Sequence, residues 1–148
     1  MKLLIDGDGC PSGVVNAVVS EAAKRNLRAL LFCDTSHIFN MENAEVIVVG
    51  KGADSVDFAI INRVDKGDII ITQDYALGAM CLSKGCYCLN QNGFEYTAEN
   101  IDRLLFQRHI SRELRRSGKR SAHIKKRSAD DDRAFRECLI RLLDKLGY

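Results

Sequence analysis

Five short apolar runs, each closed by an acid, a glycine or an amide and separated by stretches of helical period, constrain this chain more than any other feature. Residues 2–6, 28–33, 45–49, 69–72 and 86–89 are rich in Leu, Ile and Val, and each is about the length of one strand. Their near-continuous apolar character suits strands covered on both faces, as in a parallel sheet. Between the first two runs, Val14, Val15, Val18, Val19 and Ala22 recur at helical spacing behind Pro11, whose fixed φ suits a first helical turn. A second helix is expected from Asp54 with Phe58, Ile61 and Val64 facing inward, ended by Gly67-Asp68. A third opens at Gln73-Asp74, with Ala76, Leu77, Met80 and Cys81 on one face and Gly85 at its end. Strand–helix–strand repetition of this kind implies right-handed crossovers and a three-layer α/β/α sandwich around a mainly parallel sheet.

The character changes after the turn-forming Asn90-Gln-Asn-Gly93. Thr97 with Asn100 should cap a helix running to about Arg116, residues 117–128 read as a mobile basic link, and residues 130–146 form a last amphipathic helix. Phe135, Leu139, Leu142, Leu143 and Leu146 make its core face, and Phe106 is read as core too, so no aromatic platform is expected. The whole of 1–148 is one domain, with 98–148 as a basic C-terminal helical segment.

Charge is divided along the chain. Residues 1–100 carry 8 Lys and Arg against 13 Asp and Glu, a balance of −5, whereas residues 101–148 carry 14 against 7, a balance of +7. An acidic part joined to a basic arm points to a cation on one and a polyanion on the other. No apolar run is long enough to span a bilayer, and the apolar start is too short for a signal peptide, so a cytoplasmic protein is expected. Six scattered cysteines read as reduced, small apolar side chains, with no zinc site and no disulfide-linked partner.

The acids fall where an open sheet binds ligands. Asp6 and Asp8 follow the first strand, Asp54 and Asp57 follow the third, and Asp74 follows the fourth, all at carboxyl ends and so on one edge. Asp54 and Asp74 also suit helix N-caps, with Asp57 as a capping-box partner of Asp54. Capping gives no reason for Asp6 and Asp8. Carboxylates gathered without a neutralising Lys or Arg repel one another, and hard divalent ions such as Mg2+ or Mn2+ relieve that repulsion. Two chemistries use such a site. In one, the acids hold ions that assist water in attacking a phosphodiester. In the other, Asp6 is a nucleophile that forms an aspartyl-phosphate with Asp8 as general acid.

Ile5-Asp-Gly-Asp-Gly9 resembles the first motif of haloacid-dehalogenase-type phosphatases, but Cys10 stands where those enzymes usually carry Thr or Val. A wider resemblance lies elsewhere. Asp6-x-Asp8-x-Cys10-Pro11, Gly52-x-Asp54-x-x-Asp57-x-x-Ile60 and Gly67-Asp68-x-x-Ile71-Thr72-x-Asp74 resemble the signature blocks of the YaiI/YqxD-like bacterial proteins. Leu89-Asn90, Gly93, Tyr96-Thr97, Asn100-Ile101 and Leu114-Arg115-x-Ser117-Gly118 extend the match over essentially the whole chain. Gly7 and Gly9 stand where alanines are commoner, and Gln91 where a proline is frequent.

That family is similar to PIN-like domains, which are metal-dependent ribonucleases. The resemblance implies a PIN-like fold and Asp6, Asp54, Asp57 and Asp74 as metal-site acids, with Asp8 as a further candidate. It also implies Mg2+ or Mn2+ as cofactor and RNA, with single-stranded DNA as the alternative, as substrate. Lys51, Ser55 and Thr72 beside the acids, and Arg108, Arg112, Arg115, Arg116, Lys119 and Arg120 beyond them, are the expected nucleic-acid contacts. A non-catalytic RNA-binding module is the competing reading from another class.

Overall fold

The computed structural model describes residues 1–36, 40–52, 54–118 and 125–148. Its strands are β1 (Lys2–Asp6), β2 (Arg28–Asp34), β3 (Glu45–Val49), β4 (Ile69–Ile71), β5 (Tyr87–Asn90) and β6 (Phe94–Tyr96). The helices are α1 (Ser12–Lys24), α2 (Ser55–Arg63), α3 (Tyr75–Ser83), α4 (Ala98–Arg116) and α5 (Ala129–Lys145). The strands form one sheet in the order β3-β2-β1-β4-β5-β6, parallel throughout except for β6. The chain therefore builds outward from β1 to one edge and then returns to its other side. The point between β1 and β4 where the order reverses is where open α/β sheets place their ligands.

Side-chain alternation along the strands divides the interior in two. Leu3, Ile5, Leu31, Ile69 and Ile71 point to the face covered by α1 and α5, while Leu4, Leu30, Phe32, Ile70 and Cys88 point to the face covered by α2, α3 and α4. The expected three-layer α/β/α sandwich is thus present. All six cysteines are free thiols, five of them buried. Among the described residues no helix is long and apolar enough to cross a membrane.

Several details differ from the sequence reading. β6 was not anticipated: Gly93, with φ +83°, turns the chain back after β5, and a Cβ there would lie 2.7 Å from the Ala134 carbonyl oxygen. The inward face of α2 is Val56 and Ile60, followed by Val64, and not Phe58, whose side chain is 64% exposed. On α3 the buried residues are Leu77, Gly78 and Cys81, leaving Ala76 and Met80 outside. The expectation of mobility over 117–128 falls largely on residues 119–124, outside the described residues, as do Lys119 and Arg120.

The helix ends follow the expected chemistry for α4. Thr97 Oγ1 accepts from Asn100 N and Asn100 Oδ1 accepts from Thr97 N, a reciprocal capping box. Residues 106–116 of α4 are nevertheless exposed on every side, so the second half of the helix projects past the body. Phe106, placed in the core by the sequence reading, is 64% exposed there.

An ion cluster fastens α5 to α1. Glu21 is only 2% exposed, and Arg136 on α5 donates to it through Nε at 2.9 Å, together with Lys24 at 3.0 Å and Arg25. Burial pulls the Glu21 carboxyl upward, but the hydrogen bonds from Arg25, Lys24 and Arg136 outweigh it and hold the group at about 2. A pKa depressed in the folded state stabilises above the ordinary value of 4.5, and that stability is lost as pH falls toward 2. Glu21→Gln is expected to lower unfolding free energy at pH 7 by about 1–3 kcal/mol in urea titration. The deficit should shrink as pH falls from 4.5 toward 2, where the carboxyl of the unfolded chain protonates before the native one.

Candidate acidic site and its flanking groove

Residues from four strand ends enclose one crevice of about 280 Å3 outside the carboxyl edge of the sheet. Asp6 and Asp8 come from the turn after β1, Asp34 from the end of β2, Asp54 and Asp57 from the β3–α2 junction, and Asp74 from the β4–α3 junction. All five acids named from sequence are brought together, and Asp34 is a sixth. The sequence reading ended the second run at residue 33, one residue short of Asp34, which the structure includes in β2.

Each acid is held differently. Asp6 is 7% exposed, and Thr72 Oγ1 donates to its Oδ2 at 2.8 Å. The Thr72 oxygen in turn accepts from Asp74 N at 3.0 Å, so one hydroxyl sets the spacing of two acids. Gly7 belongs to this arrangement because of close approach. Its N–H donates to the Phe32 carbonyl at 2.7 Å, and a Cβ would lie 2.5 Å from that oxygen. Asp8 is exposed, accepts from Asp34 N at 3.3 Å, and does not cap α1, whose N-cap position is Pro11.

The capping expectations separate. Asp74 is a true N-cap, its Oδ1 accepting from Ala76 N at 2.9 Å and Leu77 N at 3.4 Å. Asp54 is not: it occupies the N-cap position in the left-handed region, φ 62°, and its side chain makes no capping bond. Asp tolerates that conformation better than most residues. The capping box with Asp57 is therefore absent, and both side chains face the crevice.

Nor are the acids wholly without a basic neighbour, as the sequence suggested. Arg108 of α4 reaches Asp74 Oδ1 at 3.2 Å. Repulsion among the acids still favours their protonated forms. Burial, then the charges of Asp8 and Asp74, raise Asp6, with the Thr72 bond opposing. Burial, followed by Asp74, Asp6 and Asp54, pushes Asp57 up to about 6. Among the described residues, no three His, Cys, Asp or Glu side chains converge tightly enough to hold a metal ion by themselves.

Behind the site lies a polar chain that the sequence did not reveal. Asn90 Nδ2 donates to Tyr96 Oη at 2.6 Å, and Tyr96 Oη donates to the Thr72 carbonyl at 3.1 Å, all three residues being buried. Thr72 is thus fully buried and committed internally. It positions Asp6 and is not available to touch a nucleic acid.

The other expected contacts divide by position. Ser55 lines the crevice, while Lys51 is exposed one residue before Gly52. Arg108 and Arg112 line an adjoining groove of about 470 Å3 that shares Asp54, Asp57 and Asp74 with the crevice. Arg115 and Arg116 lie on the projecting end of α4, where Arg116 pairs with Glu113 at 3.3 Å. Arg127, in the basic stretch before α5, is used internally. It donates to Asp132 at 2.7 Å and to the Gln91 carbonyl at 2.8 Å.

The sequence profile of the family described as "Uncharacterized BCR, YaiI/YqxD family" matches residues 4–145. The UPF0178 protein of Ruminiclostridium cellulolyticum is 46% identical over 140 residues, covering 95% of this chain and 90% of that one. The UPF0178 protein of Exiguobacterium sibiricum is 46% identical over 143 residues, covering 97% and 96%. Among solved structures, a variant of Rae1 (YacP) from Bacillus subtilis aligns over 99% of this chain and 100% of its own. Its TM-score is 0.45 at 14% identity, too distant a likeness to bear on the chemistry.

A carboxyl raised in the folded state makes the protein less stable as pH rises through its pKa, because the unfolded chain ionises more readily. Asp57→Asn should therefore stabilise the chain in EDTA at pH 7.5, by roughly 1–2 kcal/mol once solvent screening at the crevice mouth is allowed for. At pH 4 the two proteins should melt together. Calorimetry across that range checks the sign.

Proposed function

The chain belongs to the YaiI/YqxD family, and from the geometry of its acidic crevice we propose that it hydrolyses RNA phosphodiester bonds with a divalent cation, Mg2+ or Mn2+. The observation that carries this reading is the convergence of acids from four strand ends at the point where the strand order reverses. Fold stability gives no reason to gather them, since their mutual charge opposes folding.

The donor set suits the ion. Every candidate ligand is a carboxylate oxygen, which hard divalent cations prefer to nitrogen or sulfur. Mg2+ does not require three protein ligands in one tight cluster, which the described residues do not offer. That ion keeps several waters and is commonly bound by one or two carboxylates together with substrate phosphate. When bound, the ion supplies Lewis-acid polarisation of the phosphoryl group.

The protein's own residues supply position and proton handling. Asp6, fixed by Thr72, is the anchoring ligand, and Asp74 is set in register with it through the same hydroxyl. Asp57 faces the same crevice as Asp6 and Asp74, and its carboxyl, held up at about 6 by burial and by those neighbours in the ion-free protein, is the acid we assign to proton exchange with the attacking water or leaving oxygen. Arg108 stands where it can leave Asp74 for a substrate phosphate. The aspartyl-phosphate reading is weaker, because a nucleophilic Asp6 would have to attack from a nearly buried position with one oxygen already engaged.

The test is cleavage of varied RNA and single-stranded DNA by the purified chain with Mn2+. Asp6→Asn and Asp74→Asn are each expected to lose about a hundredfold or more in rate with folding retained. Asn preserves the N-cap of α3, so the second variant separates charge from capping. Intact substrates, together with no rise in melting temperature on adding Mn2+, would remove the proposal.

A further inference from the structure

The groove beside the crevice combines features that hydrolysis of a phosphodiester does not itself require. Phe58 on α2, 64% exposed, and Met80 on α3, 43% exposed, form its apolar walls with Leu105 of α4. Leaving a Phe side chain in water forgoes about 1.5–3 kcal/mol of burial, and apolar surface gathered at the edge of a polar site usually marks a contact. Helical geometry places it there. Phe58 lies one helical turn after Asp54, and its ring lines the same groove as Asp54 and Asp57. On the opposite wall, Arg108 and Arg112 are four apart and project together from α4. Arg108 touches Asp74, and Arg112 makes no ion pair among the described residues.

We infer that this groove is a base-stacking subsite for single-stranded RNA. In it, the base of a nucleotide neighbouring the scissile phosphate packs on Phe58 and Met80, and its phosphate meets Arg112 and Arg108. The assignment of the scissile phosphate to the acidic crevice rests on the function proposed above. The stacking site itself does not.

Several observations select this occupant. The groove shares Asp54, Asp57 and Asp74 with the crevice, so a chain lying across one continues into the other. Its volume, about 470 Å3, falls within the range of small-molecule sites. A flat apolar face next to guanidinium groups matches a nucleotide, whose base has a π-face and whose link is an anion. A base held against a protein ring in a groove cannot remain paired to a complementary strand, which restricts the substrate to unpaired segments. A peptide or a second copy of the chain would cover Phe58 without any need for the two arginines.

Binding of short fluorescent RNAs in EDTA, followed by anisotropy, tests this without cleavage. Phe58→Ala is expected to weaken single-stranded RNA about tenfold. Phe106→Ala, equally exposed but outside the groove lining, should leave binding unchanged. One abasic position, found by scanning the strand, should abolish the Phe58 effect, and a duplex of the same sequence should show none. The inference falls if the wild-type chain fails to bind RNA at low salt, or if Phe58→Ala binds as tightly as wild type. It also falls if the loss persists undiminished on a fully abasic strand. Phe58-dependent binding without cleavage would remove the catalytic reading alone. Cleavage with Phe58-independent binding would remove the subsite alone.

Discussion

A single buried hydrogen bond, from the Thr72 hydroxyl to the Asp6 carboxylate at 2.8 Å, links the ends of the two parallel strands between which the strand order reverses. Burying a carboxylate away from a counter-charge costs several kcal/mol unless hydrogen bonds replace water. Here the replacement is a hydroxyl whose own position is held by the backbone it belongs to and, through Tyr96 and Asn90, by the β5–β6 hairpin. The last strand, far from β1 in the sheet, therefore helps fix the first acid. Without the hairpin, the Thr72 carbonyl would lose its buried partner and the crevice would lose its reference point.

The chain handles closely surrounded acids in two opposite ways. Glu21 is surrounded by Lys24, Arg25 and Arg136 and is held at about 2, so its charge welds α1 to α5. Asp57 is surrounded by acids and is raised to about 6, so its charge works against the fold. The same functional group serves cohesion on one face of the sheet and stored repulsion at its edge. Only the second arrangement gains from a cation arriving from solution.

Much of this was legible in the residues. The period of the apolar runs gave the parallel sheet, and the placement of acids after three of them gave the crevice. What was missed has particular causes. Asp34 looked like the start of a loop because one residue decides whether a strand has ended. Phe58 was assigned inward because aromatic rings usually are, whereas the helical phase set by Val56, Ile60 and Val64 turns it outward. Arg108 and the Asn90–Tyr96–Thr72 chain join residues far apart in sequence, and no local pattern encodes such pairs. β6 is three residues long with one charged member, below what alternation alone can distinguish from a turn.

Asp74 belongs to two structures at once. Its Oδ1 closes the first turn of α3 through the Ala76 and Leu77 amides, and the same carboxylate faces the crevice. Anything that engages it there competes with the helix for its electrons, so those two amides form a built-in gauge of occupancy. Their chemical shifts and exchange rates would register a visitor in the crevice even where nothing is cleaved, which lets binding be followed from inside the frame.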